Sequence, residues 1–446
     1  MEVNMTKGSP WKHLLFFALP VFAGNMFQYF YNMVDTAVVG RFVGVDALAA
    51  VGATGSLTFC LTGAISGLSG GFAIWISRFY GAKEPENLKQ YTGASYMLGI
   101  LASFLLTACG IVFMKPLFAL LKTPDSLMEL ASRYMMIIIM GSLATMAYNL
   151  FAGLLRSVGD SRTPFYFLLI SSALNILLDL LAVIVLGMGV AGAAWATVLS
   201  QLVSAILCFG VMWKRYPILR ITKEHLRLTG QIAKDLLGLG IPMALQFSVC
   251  SLGAMVVQYA INQLGDAVIA AFTVGVKLEI IAEQPYIAIG AALATYVGQN
   301  LGAKEKARIY QGMRWAIVIS AVCMAVMFFY SWFLAGPLTS LFVGSGLPEV
   351  NAYVQQYHRV ICWFYPALFL IYVYRNGLQG IGDGFFPMLA SGMELLGRAA
   401  VVFAIGISLG YRGVILAAPI AWCLALIPLI PTFYIKMRKL KEAGSV

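Results

Sequence analysis

Six stretches of this chain, 14–34, 47–77, 90–114, 134–155, 236–265 and 315–348, contain no charged residue. A helix rises 1.5 Å per residue, so about 20 apolar residues cross a hydrocarbon layer about 30 Å thick. Each stretch is long enough to do so. The apolar residues run in blocks rather than in alternating or one-faced patterns, which points to helices solvated by lipid. The first block is too long for a signal-peptide core and lacks a small-residue cleavage site, so it reads as the first span.

Twelve spans are expected, near 13–38, 47–77, 91–114, 129–153, 164–186, 190–213, 236–263, 267–298, 313–335, 352–374, 386–409 and 413–435. The net charge of +11 raises the question of nucleic acid, but the 30 Lys and Arg residues segregate by alternate loops. One set of loops holds most of them, while Arg41, Lys115, Lys122, Arg133 and Arg412 fall on the other side. This bias places both termini in the cytoplasm of a bacterial inner-membrane protein. The positive charge is topological, and no nucleic-acid partner is expected. The seven cysteines lie scattered within hydrophobic blocks and the three histidines show no zinc spacing, so no metal centre or redox cofactor is expected.

The chain also repeats itself. Gly81-Ala82-Lys83-Glu84 recurs as Gly302-Ala303-Lys304-Glu305, Leu19-Pro20 as Ile241-Pro242, and Gly159-Asp160 before Pro164 as Gly382-Asp383 before Pro387. The offsets are 221, 222 and 223 residues. The predicted fold is all-α and polytopic: a six-helix lobe over 1–213, a basic cytoplasmic linker over 214–235, and a second six-helix lobe over 236–446. An even number of spans per half makes the repeats parallel, an arrangement suited to two bundles rocking about a central site.

Polar side chains inside the spans mark that site. A carboxylate at mid-bilayer costs roughly 2.5–3.5 kcal/mol on insertion scales. Gln28, Tyr31 and Asp35 share one face of the first span. Ser171, Asn175 and Asp179 line the fifth, and Ala193, Thr197 and Gln201 the sixth. Asp35, Asn175, Asp179 and Thr197 together could ligate sodium, or the two carboxylates could share a proton. A polar cluster that merely pins three helices is the structural alternative. A substrate between the lobes would meet Gln28, Tyr31, Asn149, Gln246 and Glu283. Pro20 removes a helical hydrogen bond and can seed a bend. At the repeat offsets Asn175 maps onto Arg398, Asp179 onto Val402 and Asp35 onto Val257. The second half carries instead Lys277, Glu279 and Glu283 on the eighth span and Glu394 with Arg398 on the eleventh. These read equally as an ion-pair network and as a second substrate or ion site.

Over essentially its whole length the sequence resembles multidrug and toxic compound extrusion (MATE) transporters. The resemblance is carried by Leu19-Pro20, Val34-Asp35-Thr36, Gly81-Ala82, Arg156, Gly159-Asp160, Gln299-Asn300-Leu301-Gly302-Ala303 and Gln379-Gly380-Ile381-Gly382-Asp383. It implies two six-helix lobes around a central cavity, and proton- or sodium-driven antiport of small organic, often cationic or amphiphilic, compounds by a monomer. Asp35, Asn175, Asp179 and Thr197 match the family's first-lobe cation positions, and Pro20 its first-helix proline. The chain looks closest to the DinF-like branch, and 246–251 lacks the carboxylate that marks a second-lobe ion site in NorM-like members, which argues against second-lobe coupling of that type. A flippase for lipid-linked saccharides is the alternative of similar architecture. An intramembrane enzyme would need a nucleophile and base, or metal ligands, at membrane depth, and the sequence shows neither.

Overall fold

The structure, a computed structural model, describes residues 3–120, 123–343 and 348–442. Lys122, part of the expected charge asymmetry, lies outside the described residues. The first half consists of α1 (Pro10–Phe42), α2 (Val45–Ala82), α3 (Pro85–Leu120), α4 (Asp125–Met140), α5 (Ser142–Ser157), α6 (Arg162–Asp179) and α7 (Val190–Arg215). Beyond two short turns follow α8 (Gly230–Ile261), α9 (Asp266–Gly302), α10 (Lys306–Phe329), α11 (Ala335–Val343), α12 (Pro348–Ile361), α13 (Tyr365–Gly380), α14 (Phe385–Val401), α15 (Ile407–Leu409), α16 (Tyr411–Val414) and α17 (Ala417–Glu442). Among the described residues there is no strand.

Helices cover all twelve expected spans. Among the described residues, nine helices are by themselves long and apolar enough to cross a membrane, and α4 with α5 makes a tenth, bent by 45°. The bend sits at Gly141, where a Cβ would lie 2.3 Å from Val198 Cγ2 of α7. The other two are less apolar for visible reasons. α9 carries Lys277, Glu279 and Glu283 close together, and the tenth span is split into α12 and α13 by a tight turn at Cys362–Phe364. Pro366 follows that turn and lacks the amide that a continuous helix would use there. The outer face of α3 shows what solvates these helices: Leu101, Phe104, Leu105 and Val112 are each more than 60% exposed. In water such a face would drive aggregation, whereas in hydrocarbon it costs nothing.

The chain forms two compact units, Met1–Asn4 with Ala23–Phe247, and Met5–Phe22 with Ser248–Val446. The division therefore falls within α1 and α8, shortly after Pro20 and Pro242, rather than in the basic linker. In the first unit, the start of α8 is pressed onto α2 through glycine. A Cβ on Gly67 would stand 2.4 Å from the Ala244 nitrogen, and one on Gly71 2.6 Å from Gly240 Cα. Backbones in such contact gain dispersion over their full length, the main source of helix association in lipid. The linker folds back onto the same unit. Asp235 accepts the Tyr91 hydroxyl at 2.6 Å on its side chain and the Trp75 indole N–H at 2.8 Å on its carbonyl.

The sequence repeat is also a backbone repeat. Lys83 and Lys304 end α2 and α9 with φ of 59° and 60°, a left-handed conformation uncommon for residues other than glycine. Asp160 Oδ1 accepts the amides of Arg162 and Thr163, both at 3.0 Å, and so caps α6. Asp383 does the same for α14 through Phe385 at 3.0 Å and Phe386 at 3.3 Å. Each capping carboxylate is held by a different partner: the Tyr216 hydroxyl at 2.5 Å from Asp160, and Lys436 Nζ at 2.5 Å from Asp383.

Candidate functional site

In the first unit α1, α6 and α7 bring their polar stripes together away from water. Asp179 and Asn175 are 0% and 1% exposed, and Asp35, Tyr31 and Gln201 are also buried. The four-residue spacing on α6 aligns Ser171, Asn175 and Asp179, and the helix widens into a π turn, Leu180–Val185, directly after Asp179. Ser171 Oγ donates to the Ser200 carbonyl at 2.8 Å and ties α6 to α7. Thr197 Oγ1 donates to the Ala193 carbonyl at 3.1 Å, so the lone pairs of this half-buried hydroxyl remain free to accept or ligate.

The donors and acceptors of this group do not satisfy each other. Asp35 Oδ1, both carboxyl oxygens of Asp179, both polar atoms of the Asn175 amide and Gln201 Oε1 are buried without a hydrogen-bond partner among the described residues. Buried polar atoms are paired in more than nine cases of ten, so such a concentration calls for an explanation. The Asp35 and Asp179 carboxyls are close enough for one shared proton to bridge them. The Tyr31 hydroxyl lies among Gln28, Gln201 and the two carboxyls. Tyr134 of α4 also faces both carboxyls and is buried. Sequence reasoning missed Tyr134, because one tyrosine in an apolar helix with no repeated polar spacing carries no signal.

The other expected residues are dispersed. Gln28 and Tyr31 join the α1 stripe. Asn149 links α5 to α2 instead, accepting from Ser66 Oγ at 3.2 Å and donating to its own Thr145 carbonyl at 2.8 Å. Gln246 is buried and belongs to the first unit, just ahead of the division in α8. Pro20 lies within α1 just ahead of the other division.

Glu283 stands apart, half-buried on α9 in the second unit among Glu279, Tyr372, Glu394 and Arg398. There Arg375 differs from expectation. The expected tenth span ended at 374, just ahead of it, but it is buried inside α13 and bonds directly to Glu394. Arg398 Nη2 approaches the other Glu394 oxygen at 3.8 Å. The Tyr357 hydroxyl donates to Glu279.

Two repeated bundles of membrane-spanning helices form an arrangement that also exists elsewhere. The sequence model of the family described as MatE matches residues 20–181 and again 242–404. The chain belongs to the MatE family. The two MatE matches coincide with the internal repeat. A probable multidrug resistance protein of Bacillus subtilis, YpnP, is 30% identical over 85% of this chain and 84% of its own length. Another from the same organism, YoeA, is 27% identical over 98% of this chain and 96% of its own. An outward-facing multidrug resistance MATE family transporter superimposes with a TM-score of 0.91 at 24% identity, covering 99% of this chain and 98% of that one. That likeness establishes the MatE fold.

Proposed function

We propose that this chain is a secondary active exporter. It moves small organic compounds, commonly cationic or amphiphilic, out across the bacterial inner membrane in exchange for a proton or sodium ion. The observation that carries this reading is the pair of buried, otherwise unsatisfied carboxyls, Asp35 and Asp179. Two carboxylates in a low-dielectric site repel, and one positive charge relieves that repulsion. Binding and release of that charge alter the local energy by several kcal/mol, enough to bias two conformations of the helices that carry it.

Asp35, Asn175, Asp179 and Thr197 supply oxygen ligands to a hard monocation, with Gln201 and Tyr134 beside them. The same oxygens accept a proton, so the residues fit either ion. Gln28, Tyr31, Asn149, Gln246 and Glu283 offer the few polar contacts that a substrate would meet, and Pro20 is the bending point of α1. The names of the two Bacillus relatives support multidrug export. The 246–251 segment, lacking a carboxylate, supports the DinF-like branch. The distribution of Lys and Arg supports cytoplasmic termini, and a site drawn from one chain supports a monomer.

The deciding experiment is transport of cationic dyes by purified protein in liposomes, under a sodium gradient alone and a proton gradient alone. One of the gradients is expected to drive accumulation in the parent protein. Neither should do so in Asp35→Asn or Asp179→Asn.

A further inference from the structure

The second unit has a charge of its own at the station that matches the ion pocket of the first. The two stations correspond in backbone as well as in sequence. α6 passes into the π turn Leu180–Val185, and α14 into the π turn Val402–Gly406. The hairpins then close through Gly189 (φ 58°, ψ −139°) and Gly410 (φ 59°, ψ −141°). At the 223-residue offset shared by the ends of the two family matches, 181 and 404, and by Asp160 and Asp383, Asn175 stands opposite Arg398 and Ser171 opposite Glu394, with the π turns and closing glycines one and two residues out of that register.

The exchange at this station goes both ways. The carboxylates are gone, since Val257 takes the place of Asp35 and Val402 that of Asp179. Tyr31 is replaced by Gly253, and the space freed is filled by the arginine. A Cβ on Gly253 would lie 3.2 Å from Arg398 Cδ and 3.3 Å from Nη1. The guanidinium faces Glu394 at 3.8 Å, together with Glu279 and Glu283 of α9. Glu394 is committed chiefly to Arg375, which also reaches Ser391 Oγ at 3.3 Å. Among the described residues, Arg398 is a positive charge that acts on both α9 carboxylates.

We propose that Arg398 is a tethered cation, supplying permanently in the second unit the charge that the first unit takes from solution. The second unit then needs no ion of its own, and coupling rests with Asp35 and Asp179, a point that depends on the reading above. Cutting the side chain away leaves buried carboxylates without a counter-charge and a void the size of a guanidinium group, so the truncated protein becomes a receptor for free guanidinium ion.

The test is thermal melting of full-length protein in detergent, with guanidinium chloride or sodium chloride at equal millimolar concentration. Arg398→Ala is expected to melt below the parent and to regain stability with guanidinium but not with sodium. Its substrate counterflow should fall with its stability and recover in part with guanidinium. The parent and Arg398→Lys, which keeps a tethered charge, should show no guanidinium-specific gain. If Arg398→Ala does not fold, Arg398→Met keeps the bulk of the stem and carries the same measurement. Equal melting of the neutral variant in the two salts overturns the proposal, and so does an equal guanidinium gain in the parent. Failure of the coupling reading has a different signature, normal ion-driven transport in Asp35→Asn, and leaves the melting result unaffected.

Discussion

Asp35 on α1 and Asp179 at the end of α6 face each other inside the first unit, near enough for one proton to join their carboxyls. Three of their four oxygens have no other hydrogen-bond partner. A structure selected for stability alone would place apolar residues there, because unpaired buried carboxylates are costly. Function and stability should therefore separate at these positions.

Asp35→Asn and Asp179→Asn are each expected to abolish ion-driven efflux while melting at or above the parent temperature, since the amide removes the repulsion without changing size. Counterflow in liposomes and melting of the same preparations check both halves. Loss of transport together with a lower melting temperature would mean that the carboxyls hold the helices together.

Glu394→Gln should show the reverse pattern. Glu394 separates two guanidinium groups, those of Arg375 and Arg398, within buried surroundings. Neutralising it leaves Arg375 without its bonded counter-charge, at a cost of about 3–5 kcal/mol, while Arg398 keeps Glu279 and Glu283. Denaturant unfolding in detergent should register that loss, while the protein that remains folded keeps measurable ion-driven transport. Complete loss of transport at normal stability would make Glu394 part of the transport machinery.

Gly71→Val tests the contact between α2 and the start of α8. Its new Cβ would stand 2.6 Å from Gly240 Cα, and backbone cannot yield as a flexible side chain can. Overpacking of this kind costs about 1–3 kcal/mol or more. Gly52→Val on the same helix, where a Cβ meets nothing within 4 Å, is the control and should melt close to the parent. Equal melting of the two variants would show that the contact is soft.

Pro20→Ala restores an amide inside α1 close to where the chain passes between its two units. A proline within a helix costs about 3 kcal/mol relative to alanine, so the variant should melt no lower than the parent. If bending at Pro20 is part of the cycle, dye turnover should fall severalfold at unchanged dye affinity. Unchanged turnover would remove Pro20 from the mechanism.

Much of this was legible in the residues because the bilayer imposes a length and a polarity on every element. Uncharged blocks became helices, the repeated Gly-Ala-Lys-Glu and Gly-Asp became repeated backbone conformations, and polar residues four apart on 164–186 became one buried face of α6. These inferences need only the helical period and the cost of exposing polar groups to lipid. Arg375 was misread for the opposite reason. Whether an arginine near a helix end lies in a loop or meets Glu394 depends on neighbours distant in sequence.

The sequence by itself determined that this chain spans a membrane as two related halves and that acidic groups lie at membrane depth in the first. Hydrophobic length and periodicity are local properties, readable one segment at a time. Only the tertiary structure decided that α1 and α8 each pass between units, and that Tyr134 joins Asp35 and Asp179. It also decided that Gly253 gives way to Arg398. Packing settles such matters, because partners are chosen by shape and charge across helices that the chain order does not place side by side.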